Sequence, residues 1–268
     1  MIRQVWKVLR NAPRAPEILR CAQETTLWQP LTAAYLGLSV LQYPFVLRLR
    51  AGEHIQIEEL TDLKAFWQIF LRRVYRVDST DRVIVDLGAN IGIFTLYAAR
   101  RAPQANIFSV EPFPSTFRRL LATVGDHHLD DRVTCLNVAA AGSSATRLMP
   151  EAAVPSQRRA LSPVDFSANA STVPQVIGNT LEALFDENHL QHVNLLKVDI
   201  EGSEYEVFLS TSPNVLKRID RIALEYHGDS TPYNKQQLFD HLRSAGFVNV
   251  LDASDTQGYG ITEMIRRV

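Results

Sequence analysis

The rhythm of hydrophobic and polar positions changes near residue 75. Before that point, the stretch FVLRLR alternates over residues 45–50, Ala51 and Gly52 offer a turn, and HIQIEE alternates again. This pattern predicts a β-hairpin. The run DLKAFWQIFLRRVY that follows has apolar residues at helical spacing, which predicts a helix with one buried face.

One uncharged run in this first part, Leu31 to Leu47, approaches the length that spans a membrane. It contains Thr32, Gln42 and Pro44, and it continues into the alternating stretch. We therefore interpret it as a buried helix that turns at Pro44 into a strand. No transmembrane segment is predicted, and a peripheral membrane contact stays open.

From residue 82 onward, predicted strands and helices alternate. The predicted strands read RVIVDLG, NIFSVEP, RVTCLNVAA, NLLKVDIEG, RIALEYH, VNVLDA and YGITEMIRR, and helical patterns lie between most of them. Such alternation predicts a parallel sheet covered by helices, with ligands at the carboxyl ends of the strands. We interpret the Ser-, Ala- and Pro-rich stretch 151–179 as a long excursion, and we expect an extension over 1–75 and a main domain over 76–268.

The turn in VIVDLGANIGIF carries the clearest chemical signal. Dinucleotide-binding turns usually have a middle glycine that lets the backbone approach a pyrophosphate. Asn90 stands there between Gly88 and Gly92, so a cofactor without phosphates, such as S-adenosylmethionine, fits better. Asp86 can then hold an ammonium group, and Glu111 can accept hydrogen bonds from ribose hydroxyls. The alternative is that both acids merely cap the helices that follow.

A second cluster lies in LLKVDIEGSEYEVF, where Lys197, Asp199 and Glu201 occupy every second position. Charges at the end of a buried strand are costly unless they are paired or used. We therefore expect Lys197 to pair with one of these acids, and Asp199 and Glu201 to face a bound cofactor. The spacing from Ser203 to Glu206 predicts a capping box, with the acids of this segment at the helix start.

The next strand ends in Glu225 and His227. If this strand neighbours the previous one, these side chains crowd one rim with Asp199 and Glu201. Such a rim provides a candidate general base or cation site. A structural or solvated histidine is the alternative, and we assign no metal ligands from sequence.

Taken together, these motifs resemble the FkbM-type methyltransferases over residues 78–247. The resemblance is carried by VIVDLGANIGIFTLYAAR, SVEPFPSTFRRL, NVAA, NTLEALF, LLKVDIEGSEYEVF and IALEYH, in this order. It implies an α/β class I methyltransferase fold: a Rossmann-like three-layer sandwich with a mostly parallel seven-stranded sheet whose last strand is antiparallel, plus an N-terminal helical and hairpin extension. It also implies S-adenosyl-L-methionine as cofactor and O-methylation of a hydroxyl on a small molecule or glycan.

The resemblance also implies a set of site residues. Those expected at the cofactor are Asp86, Gly88, Ala89, Asn90, Gly92, Glu111, Pro112, Ala139, Ala140 and Asp199. Within this set the glycine turn would cradle the methionine part, Glu111 would hold the ribose, and the two alanines would lie beside the adenine. Asp199, Glu201 and Gly202 would border the methyl group. For the base that takes the acceptor's proton, our order is Asp199, His227, then Glu201.

The composition of the chain indicates which kinds of binding partner are to be expected. Lys and Arg total 28 and Asp and Glu total 29, so there is no basic excess to favour a nucleic acid. The two cysteines form no CxxC pair, and charges interrupt the opening MIRQVWKVLR, so we expect a cytoplasmic protein with reduced thiols. Two alternatives stay open: a non-catalytic cofactor-binding or interaction module, and, disfavoured by the missing glycine, a nicotinamide-dependent oxidoreductase.

Overall fold

The computed structural model describes residues 14–148, 162–163, 175–228, 233–254 and 259–267. The chain divides into two compact units, Met1–Val74 and Tyr75–Val268. The boundary expected from the sequence lies one residue from this division, and the independence of the two parts as domains stays a prediction. Over the described ranges, no helix combines the length and apolar character that crossing a bilayer requires.

The first unit contains short helices and the hairpin. Its elements are α1 Ala15–Glu24, α2 Trp28–Tyr35, β1 Phe45–Arg48, β2 His54–Ile57 and α3 Leu60–Phe66, which continues as a π-helical turn over Trp67–Arg72. The predicted hairpin is confirmed, with Phe45 opposite Ile57 and Arg48 opposite His54. The predicted helix after it forms as well, but its second half widens into the π-helical turn.

From its sequence, we interpret the run 31–47 as a buried helix that turns at Pro44 into a strand. The strand forms as β1 from Phe45, but the helix ends earlier than expected. Helix α2 ends at Tyr35, where Gly37 adopts a left-handed conformation with φ 70°. The N–H of Leu38 donates to the carbonyl of Ala33 at 2.8 Å, which completes a Schellman motif. Beyond this stop the chain runs along the surface, and Val40 is 92% exposed.

The second unit is built on one large sheet and one small sheet. Its strands are β3 Val83–Leu87, β4 Asn106–Val110, β5 Val133–Leu136, β6 Ala139–Ala140, β7 Thr146–Leu148, β8 Ser162–Pro163, β9 Gln175–Asn179, β10 Val193–Val198, β11 Ile219–Tyr226, β12 Phe247–Ser254 and β13 Gly260–Arg266. Its helices are α4 Ile93–Arg101, α5 Pro114–Asp126, α6 Leu181–Glu187, α7 Glu204–Ser210, α8 Pro213–Leu216 and α9 Lys235–Ser244.

The large sheet has seven strands in the order β12-β13-β11-β10-β3-β4-β5. Strand β13 pairs antiparallel with both neighbours, whereas β3, β4, β5, β10 and β11 are parallel. The predicted mostly parallel sheet with an antiparallel last strand is therefore confirmed. From β3 the chain order runs outward to β5 on one side and through β10 to β11 on the other, so a crevice is expected at the carboxyl end of β3.

The small sheet corrects the interpretation of 151–179 as an excursion. Its order is β6-β9-β7-β8, and Gln175–Asn179 forms strand β9. Gly178 pairs with Ala139, and a Cβ at Gly178 would lie 2.7 Å from the backbone oxygen of Ala145, so only glycine fits there without a shift. The rest of that stretch, apart from β8, lies outside the described residues.

Candidate active site

The turn between β3 and α4 is held in a conformation that depends on its glycines. Gly88, Asn90 and Gly92 all have positive φ, at 77°, 51° and 88°. The N–H groups of Gly88 and Ala89 both donate to the carbonyl of Val110, at 3.0 and 2.9 Å. Left-handed positions favour glycine and tolerate asparagine, which explains why Gly88, Asn90 and Gly92 occupy every second position of GANIG.

Gly88 also lets two strand ends approach each other closely. A Cβ built at Gly88 would overlap the backbone oxygen of Asp199, which follows β10. At Gly92, a Cβ would lie 2.9 Å from Leu120 on α5. The missing side chains thus allow the turn to pack against both neighbours, and the turn would form the floor of the expected crevice.

Asp86 lies beneath this floor. It has no exposed surface, and its Oδ1 is 3.0 Å from the ammonium of Lys197 while its Oδ2 accepts a hydrogen bond from Thr95 at 3.0 Å. The expectation of an ammonium partner is therefore met by the chain's own lysine. In this conformation Asp86 cannot touch a ligand directly, because it is fully covered.

Lys197 is the centre of this buried network. Its Nζ donates to the backbone oxygen of Gly88 at 2.8 Å and lies 4.0 Å from Asp199. Burial disfavours its charge, but Asp86 and Asp199 outweigh that penalty and raise the pKa of Lys197 above its ordinary value. Lys197 thus pairs mainly with Asp86, rather than with Asp199 or Glu201 as the sequence suggested.

Glu111 stands at the end of β4, beside the glycine turn. Its two carboxylate oxygens accept hydrogen bonds from the N–H groups of Asn90 at 2.9 Å and Phe113 at 3.0 Å. Burial raises the pKa of Glu111 to about 7, although these hydrogen bonds act in the opposite direction. Both the binding role and the capping alternative survive, since Phe113 directly precedes α5.

Asn90 indicates that the glycine turn can bind a ligand. Its Oδ1 is buried, and it has no hydrogen-bond partner within the described part of the chain. Buried polar atoms are rarely left unsatisfied in folded proteins. An acceptor atom of this kind, beside a left-handed glycine turn and an acid, suits the ammonium and ribose donors of S-adenosylmethionine.

The remaining predicted cofactor residues lie around the same crevice. Pro112 is half-buried, and its carbonyl accepts a hydrogen bond from Asn137 at 3.0 Å. Ala139 and Ala140 are 0% and 5% exposed, and they form β6 of the small sheet. Their small size lets β9 pack closely, and direct contact of Ala139 with an adenine is not supported by its burial.

The turn after β10 differs from the predicted capping box. Ser203 makes no capping hydrogen bond, because its backbone is already helical at φ −83° and ψ −3°. Glu204 is fully buried instead, and it accepts hydrogen bonds from the N–H groups of Ile200 at 3.2 Å and Gly202 at 2.9 Å. It stabilises a turn in which Glu201 has φ 52°.

Glu204 also orients the predicted histidine. Its Oε1 is 2.9 Å from Nδ1 of His227, and His227 Nε2 faces Glu201 at 3.5 Å. Because β10 and β11 are paired and parallel, their ends do crowd one rim, as predicted. Asp199, Glu201 and His227 offer ligand atoms that all lie within 4.8 Å of one another.

The rim carboxyl groups shift one another's protonation. Burial, followed by repulsion from Asp199, raises the pKa of Glu201 to about 8 and that of Glu225 to about 7. Burial lowers the pKa of His227, but the hydrogen bond and charge of Glu204 reverse this and raise it to about 9. His227 therefore holds a proton at neutral pH, which places it behind Asp199 as a base.

Several residues at the site were not predicted from the sequence. Thr95 and Ser109 sit beside Asp86, and Tyr75 donates its hydroxyl hydrogen to Glu225 at 3.0 Å. Glu204 was predicted only as a helix-start acid. Lone polar residues on apolar faces are the signal for Thr95 and Ser109; the partner of Tyr75 lies 150 positions away, and no local pattern reveals it.

The fold and the site together define the class of protein. A parallel sheet that reverses order at β3, with a glycine turn there and an acid ending the next strand, is the arrangement of class I methyltransferases. The model of the methyltransferase FkbM domain matches residues 86–248, more than half of the chain. The chain therefore belongs to the FkbM methyltransferase family, and S-adenosyl-L-methionine is its cofactor.

Three known proteins illustrate the relationship. The chain is 29% identical to the AMB antimetabolite synthetase AmbE of Pseudomonas aeruginosa over 74% of its own length, but it spans only 11% of AmbE. It is 26% identical to the hexuronic acid methyltransferase AglP of Haloferax volcanii over 75% of this chain and 78% of AglP. The crystal structure of methyltransferase FkbM from Methylobacillus flagellatus shares its fold, with a TM-score of 0.51 and 14% identity over 96% of this chain and 59% of that one.

Proposed function

We propose that the protein transfers a methyl group to a hydroxyl oxygen of a small-molecule or glycan acceptor. The observation that carries this proposal is the rim of Asp199, Glu201 and His227 beside the glycine turn. An alcohol is a weak nucleophile until a base removes its proton, and this rim offers three candidate bases. The similarity to AglP, a hexuronic acid methyltransferase, supports a sugar as one acceptor class.

The bound cofactor supplies an electrophilic methyl carbon on a sulfonium leaving group. Asn90 would offer its Oδ1, which has no partner among the described residues, to the cofactor's ammonium, and Glu111 would accept hydrogen bonds from the ribose hydroxyls. Asp86 supports the cofactor site indirectly. It holds Lys197 in place, and Lys197 in turn donates a hydrogen bond to the carbonyl of Gly88. The protein's share of catalysis is thus mainly position and charge.

Asp199 is the proposed general base. Its side chain is 30% exposed at the mouth of the crevice, so an acceptor can reach it, whereas Glu204 is fully covered. Asp199 would take the proton of the acceptor's hydroxyl group, which makes that oxygen a stronger nucleophile. Glu201 and His227 hold protons at neutral pH because of their raised pKa values, and they follow as candidates.

The test is methyl transfer from labelled S-adenosylmethionine to a panel of sugars, uronic acids and small hydroxylated molecules. We expect turnover with at least one hydroxylated acceptor and a loss of about 100-fold in Asp199→Asn, within the range of a lost general base. Asp130→Asn is a matched control, because Asp130 is an exposed residue in the turn before β5, at the opposite end of the strands from the expected crevice. Transfer to nitrogen or carbon alone would contradict the proposal.

A further inference from the structure

The rim at the ends of β10 and β11 is rich in carboxyl groups. Four carboxyl groups end there, those of Asp199, Glu201, Glu204 and Glu225. Lys197 lies 3.0 Å from Asp86 but 4.0 Å from Asp199, so its charge is committed mainly to Asp86. Protonated His227 offsets part of the negative charge of this rim at neutral pH, so a divalent cation would bind in exchange for the protons on His227 and Glu201.

The histidine of this rim is held in the way that a metal-binding histidine is held. Its Nδ1 is 2.9 Å from the fully buried carboxylate of Glu204, which fixes the ring and leaves Nε2 as the outward nitrogen. Metal-ligating histidines almost always use their second nitrogen in such a bond to a carboxylate or carbonyl. Glu204 is itself fixed by two backbone N–H groups, so this support is rigid.

The outward nitrogen of His227 is aimed into the carboxyl cluster, where Glu201 is its ion-pair partner at a distance longer than a hydrogen bond. The residue is 8% exposed, and its Nε2 is 3.5 Å from Glu201, beyond the usual hydrogen-bond range of about 2.7–3.2 Å. A buried imidazole nitrogen in this position, facing two carboxylates, is an independent sign of a ligand. Two acids alone would not indicate one.

We propose that Asp199, Glu201 and His227 together bind one divalent cation of the manganese or magnesium type. Carboxylate oxygens suit these ions, and the single imidazole favours manganese of the two. An ion with ligands at about 2.1 Å holds neighbouring donor atoms roughly 3 Å apart. The present atoms lie within 4.8 Å of one another, and rotation of the two partly exposed carboxylates draws them in.

This site rests on the proposed function for its role, though not for its existence. Three protein ligands leave coordination positions open, and an acceptor hydroxyl in one of them has a lowered pKa. Two open positions favour acceptors with a second oxygen beside the reacting one, such as a vicinal diol or a hydroxy acid. The ion also offsets the repulsion that the rim would otherwise exert on an anionic acceptor.

The experiment is titration of the full chain with Mn²⁺, followed by loss of the electron paramagnetic resonance signal of the free ion. We expect one tight site per chain, weakened at least about tenfold in Asp199→Asn and in His227→Gln. Glu225→Gln is the matched control, because it removes an acid of the same rim that lies outside the ligand set. We expect that variant to stay within about threefold of the parent.

Each outcome of the manganese titration either supports or overturns the proposed cation site. Loss of binding in both ligand variants with retention in Glu225→Gln supports the site. Absence of a tight site in the parent chain, or equal weakening in Asp199→Asn and Glu225→Gln, overturns it, because equal weakening indicates a diffuse counter-ion. Having two ligand variants keeps the result independent of the folding of either one.

A parallel calorimetric titration with S-adenosylhomocysteine in excess chelator separates this proposal from the proposed function. Cofactor binding without a manganese site would leave the methyltransferase proposal standing and remove the cation. A manganese site without cofactor binding would support the cation site and contradict the methyltransferase proposal.

Discussion

At the scale of single residues, Glu111 is the most informative group in the crevice. It is 4% exposed, and it is held between two backbone N–H groups. Its burial raises the pKa to about 7, so a small change of pH near neutrality changes its charge. A neutral carboxyl group accepts hydrogen bonds from two ribose hydroxyls less well than a carboxylate does.

We therefore expect cofactor affinity to increase as the pH rises from 6 to 8. Binding favours the ionised form, which is the minor form below the pKa, so the apparent affinity at pH 6 is about tenfold lower than at pH 8. Calorimetric titration with S-adenosylhomocysteine across this range measures the effect. In Glu111→Gln the affinity is lower, and its dependence on pH is nearly flat; an unchanged slope would assign the titration to another group.

Gly88 provides a second test at this scale. Gly88→Ala adds left-handed strain and an overlap with the backbone of Asp199, together costing about 2–4 kcal/mol of unfolding free energy. Gly246→Ala is the matched control, since Gly246 has φ 95° but its Cβ would lie 3.4 Å from its nearest neighbour. That variant loses about 1 kcal/mol. Urea denaturation compares the two, and equal losses would mean that the close approach is unimportant.

At the scale of elements, a buried ion pair joins β3 to β10. Lys197 and Asp86 are direct partners in the strand register, and each has almost no exposed surface. The same lysine bonds the carbonyl of Gly88, so it also fixes the first residue of the glycine turn. Strand pairing, turn shape and charge are thus linked through one side chain.

We expect that removing one partner of this ion pair lowers the free energy of unfolding more than removing both partners does. Lys197→Met leaves Asp86 buried without its cation and costs about 3–5 kcal/mol of unfolding free energy. The double variant Lys197→Met with Asp86→Leu recovers part of that loss, because it buries no charge. A double-mutant cycle by urea denaturation measures the coupling. Strictly additive losses would show that the two side chains do not depend on each other.

The elements also show what sequence could and could not predict. The strands and the glycine turn follow local rules: alternation, β-branched runs and left-handed positions that suit glycine. Helix α2 stopped earlier than expected because Gly37 formed a Schellman motif inside an otherwise apolar run. Ser203 looked like a cap, but its side chain makes no capping hydrogen bond. Glu204 instead binds the N–H groups of Ile200 and Gly202 in the turn before the helix, and it also reaches His227.

At the scale of the whole molecule, the site depends on strand order more than on any one motif. The glycine turn, the end of β10 and the end of β11 are far apart in the chain, and they meet because β3, β10 and β11 are neighbours. The order itself could be expected from the alternating pattern and the resemblance. The partners of Asp86 and His227 could not, because they are set by which side chains meet across the sheet.

All residues of the candidate active site belong to the unit Tyr75–Val268. We therefore predict that this unit, expressed alone, binds S-adenosylhomocysteine with an affinity within a few-fold of that of the full chain. Calorimetry on both proteins tests this, and the unit carrying Gly88→Ala serves as a weakened control. A folded unit with no binding would show that residues 1–74 contribute to the cofactor site.

The small sheet has a consequence for how such a protein can diversify. Strands β7, β8 and β9 are hydrogen-bonded neighbours, so each connection between them leaves from and returns to one support. The entropy of closing such a connection grows only slowly with its length, by about 0.6 kcal/mol for each doubling. Insertions there can therefore accumulate during evolution while the large sheet stays constant, which gives a lineage room to acquire new acceptors.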